Sequence, residues 1–247
     1  IESRYPYTAD GKVPATPETP IPDPLIWLAY VAAAAPTMRL GTCILILPQR
    51  NPLVLAKELA TLDHLTDGRV ELGIGVGWMK EEFDIYGVDF RKRGKITDEM
   101  IEVLRKLWSG AMVEHHGEHF DFPRVQLSPA PPEPPPVYIG GTSEAALRRA
   151  ARSGDGYIGA GTAPDDVPDL LGRLQALRSE YGRDHLPFEA MLGLTAEPSL
   201  DLFRNMADQG LESTVAPPFA YVLGKRSSLD DKKRMMEQYA ETIIRHF

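Results

Sequence analysis

Strands and helices alternate along this chain with little left over, and that alternation limits the fold more than any single motif. "MRLGTCILIL" (38–47) reads as a strand, and Asn51 and Pro52 then cap and open the helix "PLVLAKELATLDHL", which stops at Asp67-Gly68. "RVELGIGVG" (69–77) is the next strand and "TDEMIEVLRKLW" (97–108) the next helix. The pattern resumes with strand 136–141, helix 143–152, strand 155–161, helix 165–180, strand 188–196, helix 199–209, a short strand 213–217 and a helix from about Ser228. Six strands separated by helices predict an α/β fold with a parallel sheet. An open doubly wound sheet is one solution. A (β/α)8 TIM barrel is preferred if two strands precede residue 1, because the chain opens on a loop and a helix, as if entered partway through a third unit. Residues 1–247 are read as one domain, with 1–23 a proline-rich loop or arm and 109–135 a polar, proline-rich excursion.

Composition narrows the function classes. With 247 residues, 43% hydrophobic and 25% charged, the chain can bury a sizeable core without staples. A formal charge of -8 leaves no basic excess to draw a polyanion, and Lys and Arg bunch only in "FRKRGK" (90–95), which weighs against nucleic acid. Cys43 is the single cysteine, so no internal disulfide can form and a cytoplasmic location is expected. "LIWLAYVAAAAP" falls short of the roughly 18 apolar residues of a membrane span and reads as a soluble helix, capped by Asp23 with Pro24 in its first turn.

Two places have lost side-chain bulk. In "RVELGIGVG", Val70, Leu72, Ile74 and Val76 lie on one face, and Gly73, Gly75 and Gly77 on the other. The neighbouring strand repeats this less completely, with Gly41 and Cys43 around Thr42. Glycines can simply permit curvature or close packing. Two thinned strands near their C-terminal ends point instead to a flat ring lying over them, where ligands of barrels and parallel sheets bind. The second place is "YIGGTSEAALRRAAR": a strand, two glycines, then Thr142-Ser143 opening a helix, which leaves free backbone N–H groups for a phosphate. It lacks the dinucleotide fingerprint. The next strand ends in "GAGT", a second compact turn, and the two together point to a flavin-like mononucleotide.

From "LGTCILILPQRNP" through "LDHLTDGRVELGIGVGWMKEEF" to "FRKRG", "HFDFPRVQLSP" and "VYIGGTSEAALRRAARSGDGYI", the sequence resembles the bacterial luciferase-like superfamily. It is most similar to the actinobacterial and mycobacterial oxidoreductases assigned to a deazaflavin coenzyme. The resemblance covers residues 5–161 well and the C-terminal third more loosely. It implies a TIM barrel whose first two strands precede a loop like "YPYTADG", so this chain is expected to lack both, along with a ring-edge residue that the second strand often supplies. It implies a bulge at Thr42, Cys43 and Ile44 against the middle of the ring, with a cis peptide near Cys43–Ile44. It places Gly75, Val76 and Gly77 beside the ring and Trp78 and Glu81 at the substrate or pyrimidine end. Gly140, Gly141, Thr142, Ala160 and Gly161 match the phosphate-binding segments. The implied cofactor is coenzyme F420, with FMN as the alternative.

Other residues carry competing readings. "EHHGEH" (114–119) invites a metal, but its glycine and flanking prolines argue against helical H-E-x-x-H geometry. His64 reads as a packed histidine, and Cys43, with no paired His, as a small residue rather than a nucleophile. Trp78 either covers the ring or packs the loop. Glu81 and Glu82 are the candidate catalytic carboxylates, although carboxylates at a helix start are common. Arg91 and Arg93 meet either an anionic coenzyme tail or only Asp98 and Glu99. The preferred activity is hydride transfer between an organic substrate and the deazaflavin. The alternatives are an FMN monooxygenase using oxygen and a non-catalytic barrel serving as a binding subunit. A small-molecule substrate and a homodimer are expected, without a resident metal.

Overall fold

A computed structural model describes the chain except for residues 1–3, 7, 9, 14, 17, 217, 218 and 225. It divides into two compact units, Ile1–Gly140 and Gly141–Phe247.

The first unit contains α1 (Pro24–Ala34), β1 (Leu40–Gly41), β2 (Leu45–Ile46), α2 (Pro52–Leu65), β3 (Val70–Gly75), α3 (Lys80–Tyr86), α4 (Arg93–Trp108), β4 (Met112–His116), β5 (Asp121–Gln126) and β6 (Val137–Gly140). β1 and β2 both pair in parallel with β3, at Leu40 opposite Val70 and Leu45 opposite Ile74, and β3 pairs in parallel with β6. The strand expected over 38–47 is therefore two short strands interrupted at residues 42–44. The core lies between this sheet and α2 and α4, where Leu55, Leu59, Leu72, Ile74, Met100 and Leu104 are fully buried. Each such side chain stabilises the fold by about 1.5 to 3 kcal/mol. Trp108 joins them, donating its indole N–H to the Ala56 carbonyl at 3.2 Å.

Caps fall where the sequence puts them. The Asp23 side chain accepts from the Leu25 and Ile26 amides, and Asn51 from those of Leu53 and Val54. Burial pulls the Asp23 carboxyl up, but the hydrogen bond from Arg50 at 2.6 Å and the two amides outweigh it and leave it below the usual range. Asp63, near the end of α2, is 1% exposed with Oδ2 unpartnered, and burial pushes its carboxyl up.

The 109–135 excursion is more ordered than its composition suggests, because β4 and β5 form an antiparallel hairpin with a bulge between Val113 and His115. Glu99 of α4 anchors it, accepting from the Phe120 amide at 2.8 Å, the His119 amide at 3.0 Å and His115 Nε2 at 3.1 Å. Burial opposes ionisation of Glu99, yet these donors hold its carboxyl below the ordinary value.

The second unit contains α5 (Glu144–Ser153), β7 (Gly156–Thr162), α6 (Val167–Glu180), β8 (Glu189–Leu194), α7 (Leu200–Asp208), β9 (Ser213–Thr214), α8 (Phe219–Val222) and α9 (Leu229–Thr242). β7, β8 and β9 pair in parallel in that order. Leu147, Tyr157, Val167, Leu174, Leu192 and Met206 fill its core. Among the described residues no helix is long and apolar enough to cross a membrane.

Candidate functional site

The break between β1 and β2 sets the local geometry of the first unit. Thr42 is 4% exposed, and its hydroxyl donates to the Gly73 carbonyl at 2.6 Å, which ties the break to β3. Its oxygen is thus committed to the sheet. The next peptide, Cys43–Ile44, is cis, at the bond the resemblance indicated. Both residues are exposed, Ile44 by 37%. Surrounding protein atoms still push the Cys43 thiol up, which disfavours a thiolate nucleophile.

The space left by the glycines is partly taken. A Cβ on Gly75 would run into the δ-methyl of Ile44, and one on Gly140 would sit 2.8 Å from Ile44 Cγ2 and 3.2 Å from the Ile74 carbonyl oxygen. These two glycines therefore seat the Ile44 side chain, so the room that composition alone assigned to a ring is filled by the protein here. What remains is the exposed step of Cys43 and Ile44.

After β3 the chain turns through Val76, Gly77 and Trp78, all partly buried. Gly77 has φ +81°, and a Cβ there would meet the Phe83 ring at 2.7 Å and Ile46 Cγ2 at 2.9 Å. Trp78 packs edge-on against Tyr5, with ring centroids 5.1 Å apart. Glu81 and Glu82 occupy the first turn of α3, where carboxylates complement the helix dipole. Glu82 accepts from Gln49 Nε2 at 3.0 Å. Gln49 escaped sequence reasoning, and the one available signal was a polar residue directly after the strand in "LPQR".

Among protein groups, Arg93 engages backbone carbonyls and an aromatic ring. Its Nε donates to the Gly77 carbonyl at 3.1 Å, its Nη1 donates to the Phe90 carbonyl at 2.8 Å, and the guanidinium lies 3.8 Å from the Phe90 ring centroid. The histidines of "EHHGEH" serve the hairpin: His115 bridges Glu99 and Lys106, and His116 pairs with Asp121. Among the described residues no group of three or more His, Cys, Asp or Glu could hold a metal ion.

In the second unit, Gly141 has φ +130° and its carbonyl accepts from Tyr157 Oη at 2.8 Å. Burial pushes the Tyr157 phenol up, keeping it a donor. Ser143 caps α5 by accepting from the Ala146 amide at 3.2 Å, and Thr142 before it is exposed. Gly161, with φ +70°, is the unpaired residue where the β7–β8 register shifts between Ala160 and Thr162, and both Ala160 and Gly161 are exposed. A cavity of about 390 Å³ near the start of β8, lined by Gly172, Arg178 and Phe188 among others, includes none of the candidate site residues.

Parallel strands alternating with helices, with an exposed break between β1 and β2, define the class of βα folds built on parallel sheets. The luciferase-like monooxygenase family model matches residues 6–198, and this chain belongs to that family. An uncharacterized protein of Mycobacterium tuberculosis is 36% identical over 245 residues, covering 98% of this chain and 84% of the relative. The F420-dependent glucose-6-phosphate dehydrogenase of Kineococcus radiotolerans is 31% identical over 225 residues, 87% of this chain and 64% of its own. Among solved structures, the coenzyme F420-dependent tetrahydromethanopterin reductase of Methanopyrus kandleri aligns with a TM-score of 0.74 at 16% identity, covering 92% of this chain and 88% of that one. The fold is accordingly that of a partial luciferase-like TIM barrel, the arrangement preferred from the alternation over the open doubly wound sheet.

Proposed function

We propose that this chain is a coenzyme F420-dependent oxidoreductase that moves a hydride between a small organic substrate and a bound deazaflavin. The observation that carries the reading is the exposed Cys43–Ile44 step, backed by Gly75 and Gly140 at the ends of parallel strands. An apolar ledge of this kind fits a flat heterocycle, and kinship with an F420-dependent dehydrogenase favours the deazaflavin. When bound, the deazaflavin would accept or donate the hydride at C5.

The chain's own residues would position and exclude water. Ile44 would support the ring, with Thr42 fixing the strand break behind it. Val76, Gly77 and Trp78 would flank it, and Glu82, oriented by Gln49, would hold a proton near the substrate with Glu81 beside it. Gly141 and Thr142 ahead of α5, with Ala160 and Gly161 on the bulge, would offer backbone N–H groups to a phosphate. Gly140 contributes by seating Ile44.

A second reading, an FMN monooxygenase, is favoured by the family model itself. Parallel equilibrium titrations with oxidised coenzyme F420 and FMN separate the two. Selective micromolar binding of coenzyme F420 supports hydride transfer, selective FMN binding promotes the monooxygenase, and binding of neither overturns both in favour of a non-catalytic barrel. A homodimer belongs to the same proposal and is supported by the apolar surface of α1, where Ile26, Trp27 and Tyr30 are 75%, 55% and 76% exposed. Light scattering at micromolar protein tests it, and a monomer mass rejects it.

A further inference from the structure

We infer that Arg93 is a positioning residue for the Gly77–Trp78 turn, an inference that rests on the proposed coenzyme site but can fail separately from it. Arg93 sits in the first turn of α4, which contains no acidic residue. A cation at the positive end of a helix is disfavoured, so local contacts must offset its placement. Those contacts form a closed circuit. Arg93 Nε donates to the Gly77 carbonyl, and Nη1 donates to the Phe90 carbonyl. The guanidinium covers the Phe90 ring, which packs edge-on against Phe83 at 5.3 Å. Phe83 in turn lies under Gly77, closing the ring of contacts.

The turn is thus held from below by an aromatic ring and from the side by a planar fork. Val76 and Trp78, on either side of the tied carbonyl, take their direction from it. Lysine cannot reproduce this geometry, because an ammonium is a point charge that cannot donate in two fixed directions while stacking on a ring. Arg93 touches no reacting atom; it acts through Gly77.

The test uses the whole chain with Trp27→Phe as background, so that the accessible tryptophan emission comes from Trp78, Trp108 being 1% exposed. Arg93→Lys should keep the far-ultraviolet circular dichroism, make Trp78 more accessible to acrylamide, and weaken coenzyme F420 binding about tenfold, the scale of one hydrogen bond to a charged group. Phe90→Leu, which spares both backbone carbonyls, should move the same two readouts less, and it decides the matter if Arg93→Lys does not fold. Quenching and affinity equal to the parent in a folded variant overturn the inference. If the parent binds no coenzyme F420, the functional reading fails while Trp78 quenching still decides the role of Arg93.

Discussion

Gly77 in the first unit and Gly161 in the second share a left-handed backbone but not their surroundings. In the first unit the missing side chains of Gly75, Gly77 and Gly140 are replaced by Ile44, by Phe83 with Ile46, and by Ile44 with the Ile74 carbonyl. In the second, nothing lies within 4 Å of where a Cβ on Gly161 or Gly172 would stand. Lost bulk before a strand end therefore has two meanings: it seats another part of the chain, or it leaves backbone open.

The sharpest way to break this comparison is to add one methyl group to a left-handed glycine in each unit. Gly77→Ala incurs both the left-handed penalty and overpacking against Phe83 and Ile46, about 3 kcal/mol together. Gly161→Ala, at nearly the same φ but in open space, incurs the backbone penalty alone, about 1 kcal/mol. Urea unfolding measures both. Equal losses would show that packing around Gly77 adds nothing and that the two regions are alike. On the proposed function, Gly161→Ala should also weaken coenzyme F420 binding while leaving most of the stability intact.

A smaller effect sharpens the account of the ledge. Gly75→Ala drives a methyl into the Ile44 δ-methyl and should cost about 2 kcal/mol, while Ile44→Val removes that methyl from a partly exposed side chain at little cost. In the double variant the Gly75→Ala penalty should shrink, giving a coupling of about 1 kcal/mol. Strict additivity would mean that Ile44 does not rest where Gly75 permits. On the proposed function the same pair also reports on the site, since a displaced Ile44 would change the surface offered to a ring.

What was legible in the sequence follows from how local each cause is. Caps at Asp23 and Asn51, the βα alternation and the glycine turn at 140–141 are set by neighbours a few residues away, and each was readable. The strand over 38–47 was drawn as one piece because its interruption depends on Thr42 reaching Gly73, 31 residues on. The hairpin β4–β5 was hidden for the same reason: its polar residues are tolerated because Glu99, on a helix, supplies the acceptor for its turn. At the site, the exposed step at Cys43–Ile44 was placed by resemblance. The occupant of the glycine space was not, since nothing near Gly75 or Gly140 in sequence names Ile44. Arg93 was noticed as a charge near the rim, with an anionic coenzyme tail or Asp98 and Glu99 as its alternatives, whereas its protein partners include two carbonyls, acceptors that every residue carries and composition cannot reveal.

The smallest predicted effect carries the opposite sign. Gly172 lies inside α6, where glycine costs about 1 kcal/mol relative to alanine, and it borders the cavity near the start of β8. No packed neighbour requires a missing side chain there, and its backbone is helical, so neither reason that holds for Gly77 applies. Gly172→Ala should therefore stabilise the chain by up to about 1 kcal/mol, read as a higher urea midpoint at unchanged slope. A loss of stability would mean that something approaches the α6 backbone more closely than the open space implies, and Gly172 would then join Gly75 and Gly77 among the glycines that seat a neighbour.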